Sequence, residues 1–332
     1  MNLRIIHADE PLSDPAVLAV RDRLRAADLT AAETGTIDVG EAVSEIIADV
    51  QARGDQAVIE WTAKLDKAQL TPETLRVGQA QIDKACAEAD PAFVQLIRRA
   101  AENIRQYQQH IMVQAPPPLK RGGRRLAVRY VPVDAVAAYV PGAKAVYPST
   151  VLMTLVPAQV AGVRRIVMVS PPLTDGDVNP MVLALAGELG VTEVYRLAAV
   201  PGLAALAVGT ETIAPVDKIV GPGNAFVAEA KRQLFGRVGI DSIAGPSEVL
   251  IVADETARAD WVAADMLAQA EHDPGSAVLV TPSEALAEAV VAEVGAQLAG
   301  LDRADAIDRG LSEFSAVIVV PNLDAACEAG RG

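Results

Sequence analysis

From Val131 to Phe235, short β-branched runs take turns with helix-length apolar segments. A chain patterned in this way folds into a parallel sheet whose strands are joined by right-handed crossovers. The predicted strands are Val131–Tyr139, Arg165–Val169, Glu193–Leu197 and Lys218–Val220. The predicted helices are Ser149–Val160, Met181–Leu189, Leu203–Val208 and Asn224–Phe235, the last ended by Gly236. The scheme recurs in Val249–Val252, Ala277–Val280 and Ala316–Val320, with helices over about 258–271 and 283–298 between them. The first third reads as helices alone. Asp38 can cap one running to about Ala52, with Val43, Ile46, Ile47 and Val50 on one face. Gly54-Asp55 breaks and restarts it. A further helix from about Asp90 past Tyr107 is predicted to bury Phe93, Leu96, Ile97 and Ile104, and Pro116-Pro117-Pro118 closes the helical region.

A length of 332 residues exceeds what one core organises, so two domains are expected. The fold class is α/β, with two Rossmann-like parallel-sheet domains and N-terminal helices. The expected boundaries are an N-terminal segment 1–26, a discontinuous α/β domain of 27–138 plus 247–332, and an inserted α/β domain of 139–246. In this reading the long N-terminal helices pack on the second sheet. With 51% hydrophobic but only 3% aromatic residues, the cores must be built from Ala, Val, Leu and Ile.

A net charge of -14, from 43 acids against 29 bases, repels a phosphate backbone, which argues against nucleic acid as a partner. The one dense basic cluster, Lys120-Arg121-Gly122-Gly123-Arg124-Arg125, reads as a solvated turn. Cys86 and Cys327 are far apart, which excludes a disulfide framework and points to a reducing cytoplasm. The N-terminus carries no apolar signal core. The longest uncharged stretch, Ala145–Val163, holds Pro148, Pro157, Ser149, Thr150 and Gln159, a poor composition for a membrane span.

Four loops have unusual composition and are expected at strand C-terminal ends, where parallel sheets bind ligands. In Tyr139–Thr150, Pro141 and Gly142 allow a tight turn, and Ser149 or Thr150 can cap the next helix. In Val220-Gly221-Pro222-Gly223-Asn224, two glycines permit positive φ and Asn224 is placed to cap a helix. A third glycine is missing, so the loop is either a nucleotide cradle or an ordinary turn. In Ile243–Glu248, Ser247 can bond a substrate or satisfy a turn. In Ala268–Pro274, Gln269 and His272 are three apart on one helix face, suited either to a helix-end hydrogen bond or to a metal.

Taken together, these segments resemble histidinol dehydrogenase. The stretches that carry the likeness are Tyr139–Ala145 (Tyr-Val-Pro-Gly-Ala-Lys-Ala), Val216–Lys231, Ile240–Leu250 and Ala268–Asp273 (Ala-Gln-Ala-Glu-His-Asp), in order and at matching spacing. Ala52–Ala57 (Ala-Arg-Gly-Asp-Gln-Ala) and Ala101–Tyr107 extend it toward the N-terminus. The resemblance implies an aldehyde-dehydrogenase-like architecture and a cytoplasmic homodimer of histidine biosynthesis. It implies zinc- and NAD-dependent oxidation of L-histidinol to L-histidine through the aldehyde, in two hydride transfers. Tyr139 and Asn224 match family positions that contact NAD, and Ser247 matches one that contacts substrate. Gln269 and His272 match two zinc ligands that also touch histidinol. All five are expected to converge on one cleft between the domains.

The chain departs from the family pattern at three places. Ala143 stands where the family has a second glycine. Ala198-Ala199-Val200-Pro201 replaces a Gly-Gly-Ala-Gln segment whose glutamine contacts NAD, and is expected to crowd an exposed loop. The family's catalytic Glu-His pair and its other two zinc ligands, an Asp and a His, fall beyond Gly332, so the chain reads as truncated. Two rival readings share these features: a related zinc- and NAD-dependent alcohol dehydrogenase of the same scaffold, and a degenerate non-catalytic binding protein.

Overall fold

The protein's architecture was obtained as a computed structural model describing residues 3–26, 37–142, 147–243, 247–272, 275–301 and 304–330. The chain begins β1 (Arg4–His7), α1 (Pro15–Ala26), α2 (Val39–Arg53), α3 (Asp55–Asp66), α4 (Gln79–Glu88) and α5 (Pro91–His110). It continues β2 (Leu119–Arg121), β3 (Arg124–Leu126), β4 (Ala135–Tyr139), α6 (Pro148–Val160), β5 (Arg165–Ser170), α7 (Pro180–Glu188), β6 (Glu193–Arg196), α8 (Ala199–Val208), β7 (Lys218–Val220), α9 (Ala225–Leu234) and β8 (Gly239–Ile240). It closes with β9 (Ser247–Val252), α10 (Ala259–Ala270), β10 (Gly275–Thr281), α11 (Glu284–Leu298), α12 (Ala304–Phe314), β11 (Ala316–Val319) and α13 (Leu323–Ala329). Two units result: Asp38–Ala244, and Met1–Ile37 with Gly245–Gly332.

In the unit Asp38–Ala244 a parallel sheet runs in the order β6-β5-β4-β7-β8. Side chains alternate between its faces with the period of two that a strand imposes. Ala135, Ala137, Tyr139, Val167, Val169, Tyr195 and Leu197 face one layer, built from α2, α3, α8 and α9. Ala138, Val140, Met168 and Val194 face the other, built from α4, α5, α6 and α7. The helices of residues 39–110 therefore cover this first sheet, and the expected packing on the second sheet is corrected. A stripe such as Val43, Ile46, Ile47 and Val50 announces that a face is buried, but not against which sheet. Here the crossovers supply only two short helices per face, and α2–α5 complete the cover. Leu96, predicted buried, is exposed.

Tertiary hydrogen bonds fix α3 along α8. Asp55, almost fully buried, accepts a bond from the Thr210 hydroxyl at 2.5 Å, and its own N–H donates to Glu211 Oε2 at 2.8 Å. Toward the other end of the helix, the Ala198 N–H donates to Thr62 Oγ1 at 3.3 Å. The Gly54-Asp55 break is thus a docking point. Gly54 sits at φ +55, and a Cβ there would meet Glu211 Oε2 at 2.2 Å.

Residues 111–134 are exposed throughout and carry the β2–β3 hairpin, whose turn is Gly122-Gly123 at positive φ. The basic cluster forms its tip, as expected of a solvated turn. The predicted strand from Val131 is buried only from Ala135 onward.

In the unit Met1–Ile37 with Gly245–Gly332, a second parallel sheet runs β1-β11-β10-β9. Ala277, Leu279 and Val317 pack against α10, α11 and α12. Val278, Val280, Ala316 and Ile318 pack against α1 and α13. The N-terminal segment, expected to stand apart, supplies edge strand β1. Four residues with two polar ends give too short a run to read as a strand from sequence. Among the described residues no helix is long and apolar enough to cross a membrane.

Candidate active site

The order β6-β5-β4-β7-β8 places a topological switch point between β4 and β7: the chain winds one way through β5 and β6, and the other way through β7 and β8. Open parallel sheets bind ligands outside the strand C-termini at such a point. Two predicted loops leave the sheet there. Tyr139 ends β4 and Gly221 follows β7, and their backbones touch: a Cβ on Gly221, which has φ +120, would lie 2.2 Å from the Tyr139 carbonyl oxygen. Gly142 is tight to a lesser degree: it is not at positive φ, and its Cβ would meet a side-chain atom, Ser170 Oγ, at 2.7 Å. That hydroxyl ends β5, is fully buried and has no hydrogen-bond partner among the described residues. Asn224 caps α9, its Oδ1 accepting from the Val227 N–H at 3.2 Å, as its position predicts. The Tyr139 side chain lies in the core layer. Burial, aided by the charge of Asp66, pushes its phenol far above the ordinary tyrosine value.

A buried ion pair holds the Gly221 loop. Lys231 is only 3% exposed, and its Nζ donates to the Gly221 carbonyl and, at 2.6 Å, to Asp241 Oδ1. Asp241 Oδ2 accepts from the Gly221 N–H at 2.8 Å, and Oδ1 from the Ser242 N–H at 2.8 Å. Both backbone polar groups of one residue, Gly221, are therefore gripped by one pair of charges. Burial pushes the Asp241 carboxyl up, but Lys231 and the two N–H groups outweigh it, and the group sits below the ordinary aspartate value. Sequence reading gave neither residue a role, although Lys231 ends one of the telling stretches and Asp241 falls in the next.

Two expectations for this half are corrected. Neither Ser149 nor Thr150 caps α6: the helix starts at Pro148, and Tyr147 holds the cap position without a side-chain bond. Ala199, Val200 and Pro201 do not crowd an exposed loop but form the first turn of α8, with Val200 and Pro201 buried. Proline is tolerated there because a first-turn N–H has no partner within the helix.

In the other unit, Ser247, Gln269 and His272 come together at the N-terminal edge of the sheet. The third and fourth loops lead into β9 and β10, which corrects their expected place at C-terminal ends. Ser247 opens β9 as the Cα partner of Gly275, and its side chain lies outside the described residues. Gly275 is pressed onto the end of α10, where a Cβ would meet the Gln269 carbonyl at 2.3 Å and the His272 carbonyl at 2.7 Å. Gln269 Nε2 is buried without a partner among the described residues, and the exposed His272 has Nδ1 3.3 Å from the Gln269 carbonyl oxygen. Ala143, Gly245, Pro246, Asp273 and Pro274 also lie outside the described residues. Among the described residues no group of three or more His, Cys, Asp and Glu is placed to hold a metal ion. Gln269 and His272 supply two donors, where a closed zinc site needs about four.

A family model for histidinol dehydrogenase matches residues 29–330, nearly the whole chain. The chain belongs to the histidinol dehydrogenase family. It is 50% identical over 297 residues to a histidinol dehydrogenase of Geobacillus kaustophilus, covering 89% of this chain and 70% of that relative. It is 48% identical over 288 residues to one of Rhodopirellula baltica, covering 87% of this chain and 63% of the relative. A crystal structure of histidinol dehydrogenase from Elizabethkingia anophelis superposes with a TM-score of 0.88 at 31% identity, over 99% of this chain and 73% of that one. Histidinol dehydrogenases are oxidoreductases of histidine biosynthesis. Membership gives the two loops at the switch point and the Gln269–His272 turn a common context that their spacing alone does not.

Proposed function

We propose that the protein carries out the histidinol dehydrogenase reaction, the NAD-dependent oxidation of L-histidinol to L-histidine through the aldehyde. The observation that carries the cofactor part of this reading is the pair of loops at the β4/β7 switch point. There Gly221 leaves no room for a side chain, Gly142 is tight against Ser170, and the buried Ser170 hydroxyl has no partner among the described residues. These features fit a dinucleotide. Tyr139 and Asn224 would hold it, and the chemistry it supplies when bound is hydride acceptance. The residues of the chain do the positioning: Gly221 allows close backbone approach, Asn224 fixes the start of α9, and Lys231 with Asp241 keeps the loop in place. Ser247, Gln269 and His272 would contact the substrate. Gln269 and His272 would be zinc donors, and among the described residues they supply two of the about four that a closed zinc site needs.

The cytoplasm fits the two free cysteines. A homodimer fits the exposed arm of residues 111–134, where Leu119, Leu126, Val128 and Tyr130 face solvent. Replacing residues 117–127 by a Gly-Ser linker is expected to give a monomer by light scattering, and a dimer that survives the replacement excludes the arm as its contact.

The 332-residue chain is expected to bind NAD in calorimetry and, with two of about four zinc donors among the described residues, to retain zinc substoichiometrically. Tight one-to-one zinc overturns this and shows that other residues of the chain complete the site. A fusion of this chain to the C-terminal region of the Geobacillus kaustophilus relative, of which the match covers 70%, is expected to retain zinc and to form NADH from histidinol. Gln269→Ala or His272→Ala in that fusion is expected to abolish zinc retention and turnover together. If the fusion binds zinc and NAD but ignores histidinol, the substrate reading fails.

A further inference from the structure

Asp66 is the last residue of α3; the residue is half-buried, and its Oδ2 is buried with no hydrogen-bond partner among the described residues. Both its position in the helix and its neighbours make this costly. The C-terminal end of a helix carries partial negative charge, which disfavours a carboxylate. A charged oxygen removed from water without a partner is destabilising. Burial accordingly pushes the Asp66 carboxyl above its ordinary value. The nearest cation in sequence, Lys67, is turned away, its Nζ donating to the Lys64 carbonyl at 2.8 Å. Lys67 also sits at φ 62, the one non-glycine at positive φ among the described residues.

The fold places Asp66 toward the functional edge of its sheet. Thr62, one turn earlier on the same helix face, takes the N–H of Ala198, which follows the C-terminal end of β6. One further turn carries Asp66 past that edge, on the Tyr139 side of the sheet. Its charge reaches Tyr139, whose backbone abuts the Gly221 loop. Resting on the dinucleotide reading above, we propose that the Asp66 carboxylate reads the adenosine ribose, accepting a hydrogen bond from its 2′-hydroxyl and excluding a 2′-phosphate. An acceptor-only group suits a ribose diol and repels a phosphate dianion, the logic by which parallel-sheet dinucleotide sites discriminate NAD from NADP. The hydroxyl supplies the missing donor for Oδ2, which accounts for a carboxylate kept where it weakens the unliganded fold.

Calorimetric titration of the 332-residue chain with NAD and with NADP tests this. The wild-type chain is expected to prefer NAD. Asp66→Asn and Asp66→Ala are each expected to lower the NADP-to-NAD ratio of dissociation constants by about tenfold or more, the scale of one hydrogen bond to a charged group. Their thermal midpoints are expected to be unchanged or raised, since an unpartnered charge is removed. Equal effects on both dinucleotides, or a lowered midpoint, assign Asp66 a structural role and overturn the inference. A wild-type chain that binds NAD and NADP equally overturns it as well. A wild-type chain that binds neither dinucleotide overturns the cofactor reading itself, and the two failures are distinct.

Discussion

Gly221→Ala is expected to destabilise the protein by about 2–5 kcal/mol and to abolish NAD binding. Two costs combine. At φ +120 an L-residue is strained. The new methyl also lands 2.2 Å from the Tyr139 carbonyl oxygen, 3.1 Å from its carbonyl carbon and 3.2 Å from its nitrogen. These are strand backbone atoms, and they cannot rotate aside as a side chain would. Relief requires β4 and the β7 loop to separate, which pulls the Gly221 N–H from Asp241 and moves Asn224 with it. Gly123→Ala is the matched control: its φ is +76 but nothing lies within 4 Å of the added Cβ. It is expected to cost about 1 kcal/mol and leave NAD binding intact. Urea unfolding and calorimetry on the two variants separate the strain of positive φ from the contact. A Gly221 variant as stable as the Gly123 variant, with NAD binding unchanged, contradicts the tight loop packing.

The strands and their crossovers were legible because a buried parallel strand is a continuous apolar run and needs no partner to be recognised. Local caps were legible for the same reason: Asp38 accepts from the Glu41 N–H at 2.9 Å, and Asn224 from Val227. What sequence could not assign was partnership. The stripes on α2 and α5 do not encode which sheet they meet, so the N-terminal helices were expected on the wrong one. β1 is too short to show alternation, and its role as an edge strand comes from register with β11. The loops at 243–248 and 268–274 were placed at the wrong end of the sheet because a turn rich in Gly and Pro reads alike whether it leaves a strand or enters one. Lys231, Asp241 and Asp66 stayed hidden because long-range pairing, or its absence, is what marks them. For Gln269 and His272 the sequence left a helix-end hydrogen bond and a metal site open. The structure places His272 Nδ1 beside the Gln269 carbonyl, and leaves the Gln269 amide nitrogen unpartnered among the described residues.

Lys231→Met is expected to cost about 3 kcal/mol at neutral pH, near the low end for a broken buried pair because the Asp241 side chain is 37% exposed and partly screened. The sign with pH follows from the two folded states. In the wild type the Asp241 pKa is lowered on folding. Its contribution is therefore present above the unfolded value of about 3.9 and lost as the pH falls through the lower folded value. In the variant the ammonium is gone and burial is opposed only by the Gly221 and Ser242 N–H groups, so the folded pKa rises above its wild-type value. The penalty is then full at neutral pH and is relieved as the pH falls through the raised folded value. The stability gap between the two proteins is expected to narrow steadily toward about pH 4. The double variant Lys231→Met/Asp241→Leu removes both charges and is expected to recover much of the stability, as apolar replacements of buried pairs do. It is not expected to recover NAD affinity, because the Gly221 N–H and carbonyl lose the two groups that fix them. Denaturant unfolding at pH 7 and pH 4, with NAD titration of all three proteins, separates the roles. A gap that does not change with pH shows that Lys231 acts through packing alone, and full NAD affinity in the double variant shows that the ion pair does not position the loop.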